Sequence, residues 1–195
     1  MTVRLTLIAP ATSEALRDFR FDDESPLDPA GTARAEAAAA AVPRAARSYT
    51  SPSLRCRQTA SALGLRPEPA PALAGCDTGR WRGLTLDAVA AGEQEAVAAW
   101  MSDPAAAPHG GESLRDVRIR VGSWLDTLPD PTGPLTAVAE PDVIRAAVVH
   151  ALGAPDEAFW RVDVRPLTAV HLSGRAHRWN LRIGSPLDQG AADGP

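Results

Sequence analysis

Short apolar runs alternate with longer stretches of helical period along this chain. VRLTLI (Val3–Ile8) mixes leucine with β-branched side chains almost without polar interruption, the pattern of a strand buried on both faces, and Pro10 follows in the next loop. Asp28, Pro29 and Gly31 punctuate before a helix predicted over 32–42. Asp28 is placed to cap its first N–H groups, Pro29 suits the first turn, and Pro43 stops it. RSYT (Arg47–Thr50) is a second, short strand. Ser51 and Pro52 then open a helix with Leu54, Ala60 and Leu63 on one side. Pro67, Pro69 and Pro71 keep 66–74 extended and outside core secondary structure, and GCDTGRWRG (75–83) is a glycine-flanked loop around Trp81.

Helices are predicted over 85–101 and 113–128, the second opened by HGGES with Ser113 or Glu112 near its cap. LTAVA (135–139) repeats the buried-strand signature. Pro141 opens a strongly apolar helix that ends at Gly153, and 162–172 and 178–183 read as the last strands. Alternating strands and helices predict an α/β fold: a three-layer sandwich, a mostly parallel sheet with helices on both faces. Ligands of such sheets gather at the carboxyl ends of the strands, which directs attention to the loops at 9–13 and 140–142. One domain over 1–184 is expected, then a flexible tail over 185–195 rich in Gly, Pro, Asp and Ala. No internal repeat is visible.

Composition narrows the partners. The 195 residues carry a formal net charge of -4, which gives no general attraction for nucleic acid or anionic lipid. No run is apolar enough to span a bilayer and no leader-like segment is visible, so a cytoplasmic protein with neither nucleic-acid nor membrane partners is expected. Cys56 and Cys76 lack the companion ligands of a zinc site and read as free thiols. Neither a cofactor nor a metal is expected. Asp77, Glu112 and Glu140 would suit a hard cation if they converged, but solvated carboxylates are the default.

The four histidines are His109, His150, His171 and His177. His150 lies within an apolar helix and reads as structural. His109 precedes GGES and could face a cleft beside Glu112 as an acid or base, although a surface histidine is the commoner outcome. Of five tryptophans, Trp100, Trp124, Trp160 and Trp179 read as core, and Trp81 is the candidate for stacking on a ligand.

Taken in order, LTLIAPATSEAL, SPLDPAG, YTSPSLRCRQTA, GCDTGRWRG, HGGESLRDVRIRV and LTAVAEPDVIRAAVVHALG resemble the histidine phosphatase superfamily, the phosphoglycerate mutase-like fold. The likeness runs from residue 3 to about 183. It implies a histidine nucleophile that becomes phosphohistidine, two arginines and a second histidine that hold the phosphoryl oxygens, and a carboxylic acid that protonates the leaving group. Carried across by position, the family's Arg-His-Gly falls on Ala9, Pro10 and Ala11, and its second histidine on Glu140. A family asparagine falls on Leu16 and an acidic position on Gly75. Arg55 remains as the phosphate-binding arginine and Glu112 as the proton donor.

Proline cannot accept a phosphoryl group, and the motif gives Thr12 and Ser13 no adjacent base. The resemblance therefore implies a degenerate member, a pseudophosphatase acting as a binding or regulatory domain. Its former phosphate cleft would take a small-molecule ligand, with Arg55, Glu112, Glu140, Trp81 and His109 as candidate contacts, or the chain would serve a protein partner. The alternative is an enzyme that reuses the cleft, either a residual phosphatase or mutase on a small phosphorylated metabolite or an acid/base enzyme built on its carboxylates. Glu140 is expected to pair with Arg55: opposite charges a few ångströms apart attract by about 4 kcal/mol at an effective dielectric of 20, before desolvation is subtracted.

Overall fold

The computed structural model describes residues 2–21, 24–128, 133–175, 177–182 and 187. Six strands form one sheet: β1 (Val3–Ile8), β2 (Arg47–Thr50), β3 (Glu68–Pro69), β4 (Leu135–Val138), β5 (Ala169–Arg175) and β6 (Arg178–Arg182). Their order is β3-β2-β4-β1-β5-β6. The pairings of β2 with β3, β2 with β4 and β1 with β4 are parallel, whereas β1 with β5 and β5 with β6 are antiparallel. The parallel character is therefore confined to the half of the sheet that carries the loops of interest.

The helices are α1 (Glu14–Arg17), α2 (Pro29–Ala38), α3 (Leu54–Ala62), α4 (Leu86–Gly92), α5 (Gln94–Ser102), α6 (Leu114–Asp126) and α7 (Pro141–Leu152). Side chains alternate across the sheet, so Leu5, Leu7, Leu135 and Ala137 pack on one face with Val117, Val121 and Leu125 of α6 and Ile144 and Ala147 of α7. Ile8 and Val138 turn to the other face and meet Ala38 of α2 and Cys56 and Ala60 of α3. That places helices on both faces. Ser53, Thr85 and Ser113 cap α3, α4 and α6 with side-chain oxygens, and Ser113 forms a capping box with Asp116. Gly153 ends α7 in the left-handed conformation at φ 58°, the sense glycine adopts without a Cβ penalty.

Four expectations need correction. Within 66–74, expected outside core secondary structure, Glu68–Pro69 form the edge strand β3 beside β2, and Leu73 is fully buried. The helix expected over 85–101 is two helices, because Glu93 between them takes φ -136°, ψ 49°. The strand expected over 162–172 begins only at Ala169, since Pro166 and a left-handed Leu167 (φ 58°) hold the preceding segment in a turn. Helix α2 starts at Pro29 rather than residue 32, with Asp28 accepting from the Gly31 N–H. Of the tail expected over 185–195, all but Leu187 lies outside the described residues, as does position 183 of the last strand. Leu187 donates its N–H to the Leu167 carbonyl.

In register, Ile8 lies beside Val138 and Val138 beside Thr50. The carboxyl ends of β1, β4 and β2 thus release their loops side by side, bringing 9–13, 139–142 and 51–53 to one place. No described helix is long and apolar enough to cross a membrane.

Candidate functional site

Glu140 leaves β4 and forms the N-cap of α7, while Arg55 lies in the first turn of α3. The two side chains meet as a forked pair: Arg55 Nε donates to both carboxylate oxygens at 2.9 and 2.8 Å, and an Nη lies 2.7 Å from Glu140 Oε2. Ser53, the N-cap of α3, completes the set by donating its hydroxyl to Glu140 Oε1 at 2.5 Å. The carboxylate is therefore held by a guanidinium and a hydroxyl beside the first turn of α3, with the Cys56 thiol 3.5 Å from Oε1. Glu140 is 1% exposed and Arg55 13%. Burial pushes the Glu140 carboxyl above its usual range, against the opposing pull of Arg55 and Ser53.

Asp142, two residues on in the first turn of α7, accepts the backbone N–H groups of Cys76 (2.5 Å) and Val143 (2.9 Å). Burial raises its carboxyl too, and those two N–H donors oppose the rise. Gly75 passes so close that a Cβ there would lie 3.2 Å from Glu140 Cγ.

Glu112, whose carbonyl accepts from the Cys76 thiol at 3.3 Å, forms a second forked pair. Arg120 of α6 donates to its two oxygens at 2.9 and 2.7 Å and also to the carbonyls of Ala72 and Ala74. Asp77 is tied down locally and accepts from the Gly79 N–H. Asp77, Glu112 and Glu140 are thus each engaged with separate partners and do not form one cation cage.

The loop after β1 is closed. Ala9, Pro10 and Ala11 are buried; the Ala9 N–H donates to Thr168 and the Ala11 N–H to Thr59 Oγ1. Thr12 donates its hydroxyl to Asp28, and Ser13 caps α1 by accepting from the Leu16 N–H. Both hydroxyls serve the backbone framework.

A cavity of about 220 Å³ opens beside the Arg55–Glu140 pair. Phe21, Trp100, Phe159 and Trp160 form its apolar wall, and Arg20, Arg55, Arg145 and Asp142 carry its charge. Nothing from 9–13 lines it among the described residues. Cys76 also borders it, but burial and the neighbouring Asp142 and Glu112 carboxylates push its thiol far up, so it is no thiolate nucleophile.

Two expected contacts lie elsewhere. Trp81 is fully buried, because the turn Gly79–Trp81 points the indole inward against Phe21, Trp100 and His109. His109 is 2% exposed beneath it, neither on the surface nor in the cleft; its Nδ1 accepts from the Gly111 N–H, and burial lowers its pKa. Trp100 and Trp160, read as core, are the indoles at the cavity wall. The sequence reading also missed Arg120 and Arg145. An arginine bordering the buried stripe Val117–Val121–Leu125 of α6 was the available sign of the first.

Residues 11–183 match the family model of the histidine phosphatase superfamily, branch 1. The chain belongs to the histidine phosphatase superfamily. Among solved structures, a mycobacterial glucosyl-3-phosphoglycerate phosphatase is 25% identical with a TM-score of 0.78, 94% of this chain covering 98% of that one. A protein described as mycobacterial hydrolase 1 is 26% identical with a TM-score of 0.81 over the same shares of the two chains. An Entamoeba histolytica phosphoserine phosphatase mutant with a histidine changed to alanine, in complex with phosphoserine, shares the fold at 15% identity and a TM-score of 0.84, 95% of this chain covering 98% of that one. No curated protein matches the sequence.

Proposed function

We propose that this member of the superfamily is a pseudophosphatase: a binding or regulatory domain in which an internal carboxylate occupies the position of the transferred phosphoryl group. The observation that carries the reading is Glu140, seated on the side chains of Arg55 and Ser53. Phosphoryl transfer needs a nucleophile and free cationic donors aimed at the equatorial oxygens. Here the nucleophile's place is held by buried Pro10, and the forked face of Arg55 is taken. Glu112, the retained acid, is itself clamped by Arg120.

The ligand that suits the remaining cavity is a small anion with a flat apolar body. Phe21, Trp100, Phe159 and Trp160 provide the apolar surface, with Arg20 and Arg145 beside it. Two unbridged thiols, Cys56 and Cys76, fit a reducing, cytoplasmic setting.

The test is hydrolysis of p-nitrophenyl phosphate by the wild type and Arg55→Ala. The reading predicts equal, background rates. Wild-type turnover that Arg55→Ala abolishes contradicts it.

A further inference from the structure

The far ends of α6 and α7 carry a second cluster. Asp126 closes α6 and His150 lies in the last turn of α7, while His177 sits in the turn between β5 and β6. Ten residues of helix separate Glu140 from His150, which at 1.5 Å per residue puts the cluster roughly 15 Å from the cleft pair.

The two oxygens of Asp126 have different duties. Oδ1 accepts the His177 backbone N–H at 2.7 Å and the Trp179 indole N–H at 3.0 Å, which fixes the plane of the carboxylate. Oδ2 is thereby aimed at both imidazoles, 3.1 Å from His150 Nε2 and 2.5 Å from His177 Nδ1. The three potential ligand atoms all lie within 4.8 Å of one another. For bonds of about 2.0–2.1 Å, the edge of a tetrahedron is about 3.3 Å, so only a small outward shift of one imidazole is needed. His177 can supply it, since its side chain is 80% exposed.

The surroundings favour a cation. Two helix C-termini, with their negative dipole ends, lie at the cluster, and Asp126 adds a full negative charge. Space for His150 depends on Gly122, because a Cβ there would lie 2.4 Å from the ring's Nδ1. The indole N–H on Asp126 Oδ1 is the kind of outer contact that orients a ligating carboxylate.

We propose that Asp126, His150 and His177 form a binding site for a zinc-class divalent ion, which ties α6, α7 and the C-terminal hairpin together. Two nitrogens and one oxygen suit Zn²⁺, Co²⁺ or Ni²⁺ and disfavour Mg²⁺ and Ca²⁺, which take oxygen ligands. Both histidines bind as neutral imidazoles, with the proton on Nδ1 of His150 and on Nε2 of His177. Water fills the remaining position on the exposed side.

The test uses untagged full-length protein, stripped with EDTA and titrated with CoCl₂. The expected result is visible absorption of tetrahedral Co²⁺ that saturates at one equivalent, accompanied by quenching of Trp179 fluorescence and reversed by Zn²⁺. His177→Ala, which removes an exposed side chain and leaves its backbone N–H in place, and Asp126→Asn should each weaken Co²⁺ binding by more than about 100-fold. Trp179→Phe, an outer-contact change, should weaken it about tenfold. His171→Ala should leave binding unchanged. Absence of saturable absorption, binding insensitive to His177→Ala, or loss on His171→Ala instead would each overturn the proposal. Circular dichroism of each stripped variant checks that it is folded.

Discussion

Glu140 and Glu112 are each gripped by the fork of an arginine, yet water reaches one pair far more than the other. Glu140 is 1% exposed and its Arg55 13%, whereas Glu112 and Arg120 are 29% and 24% exposed. In the buried pair each charge depends on the other, and Glu140 also on the Ser53 hydroxyl. In the wetter pair solvent can replace either partner. The same two residue types therefore make a buried pair in one place and a solvated one in the other.

The largest effect should come from breaking the buried pair. Arg55→Ala strands a buried carboxylate and should cost about 3–5 kcal/mol at neutral pH, read from urea unfolding. Arg120→Ala, at the wetter pair, should cost about 1 kcal/mol. Equal losses for the two would erase the distinction between them.

The pH dependence should be smaller still, and its sign is fixed. Burial raises the folded-state pKa of Glu140 above its ordinary value of 4.5, so the native state binds this proton more tightly than the unfolded state. Glu140's contribution to stability is complete below that value and declines as pH rises from it through the raised folded value. Glu140→Gln does not titrate. The stability difference, wild type minus Glu140→Gln, should therefore shrink between pH 4.5 and neutrality. A difference that grows over that window would mean that Arg55 lowers the carboxyl pKa on balance. Asp142 carries a shift of the same sign, but it is present in both proteins.

Much of the fold was legible because its punctuation is local. Val3–Ile8 and Arg47–Thr50 emerge with the bounds expected, as does α7, bracketed by Pro141 at its first turn and Gly153 past its last. The break at Glu93 was signalled only by Gly92, a residue that a helix interior can also tolerate. Of the site, the meeting of Arg55 and Glu140 followed from two aligned loops at adjacent strand ends. The direction of Trp81 did not, because a tryptophan in a glycine-flanked loop can face either way, and the aromatic cluster with Phe21 and Trp100 decides it. The arginines at 20 and 145 come from separate segments that only the folded chain brings to the cavity.

Titration calorimetry with orthophosphate tests the central claim most directly, since it asks whether Arg55 is available to an outside anion. The wild type should show no binding at millimolar phosphate, Glu140→Ala should gain it, and Glu140→Ala combined with Arg55→Ala should lose it again. Phosphate binding by the wild type that disappears in Arg55→Ala would contradict the account.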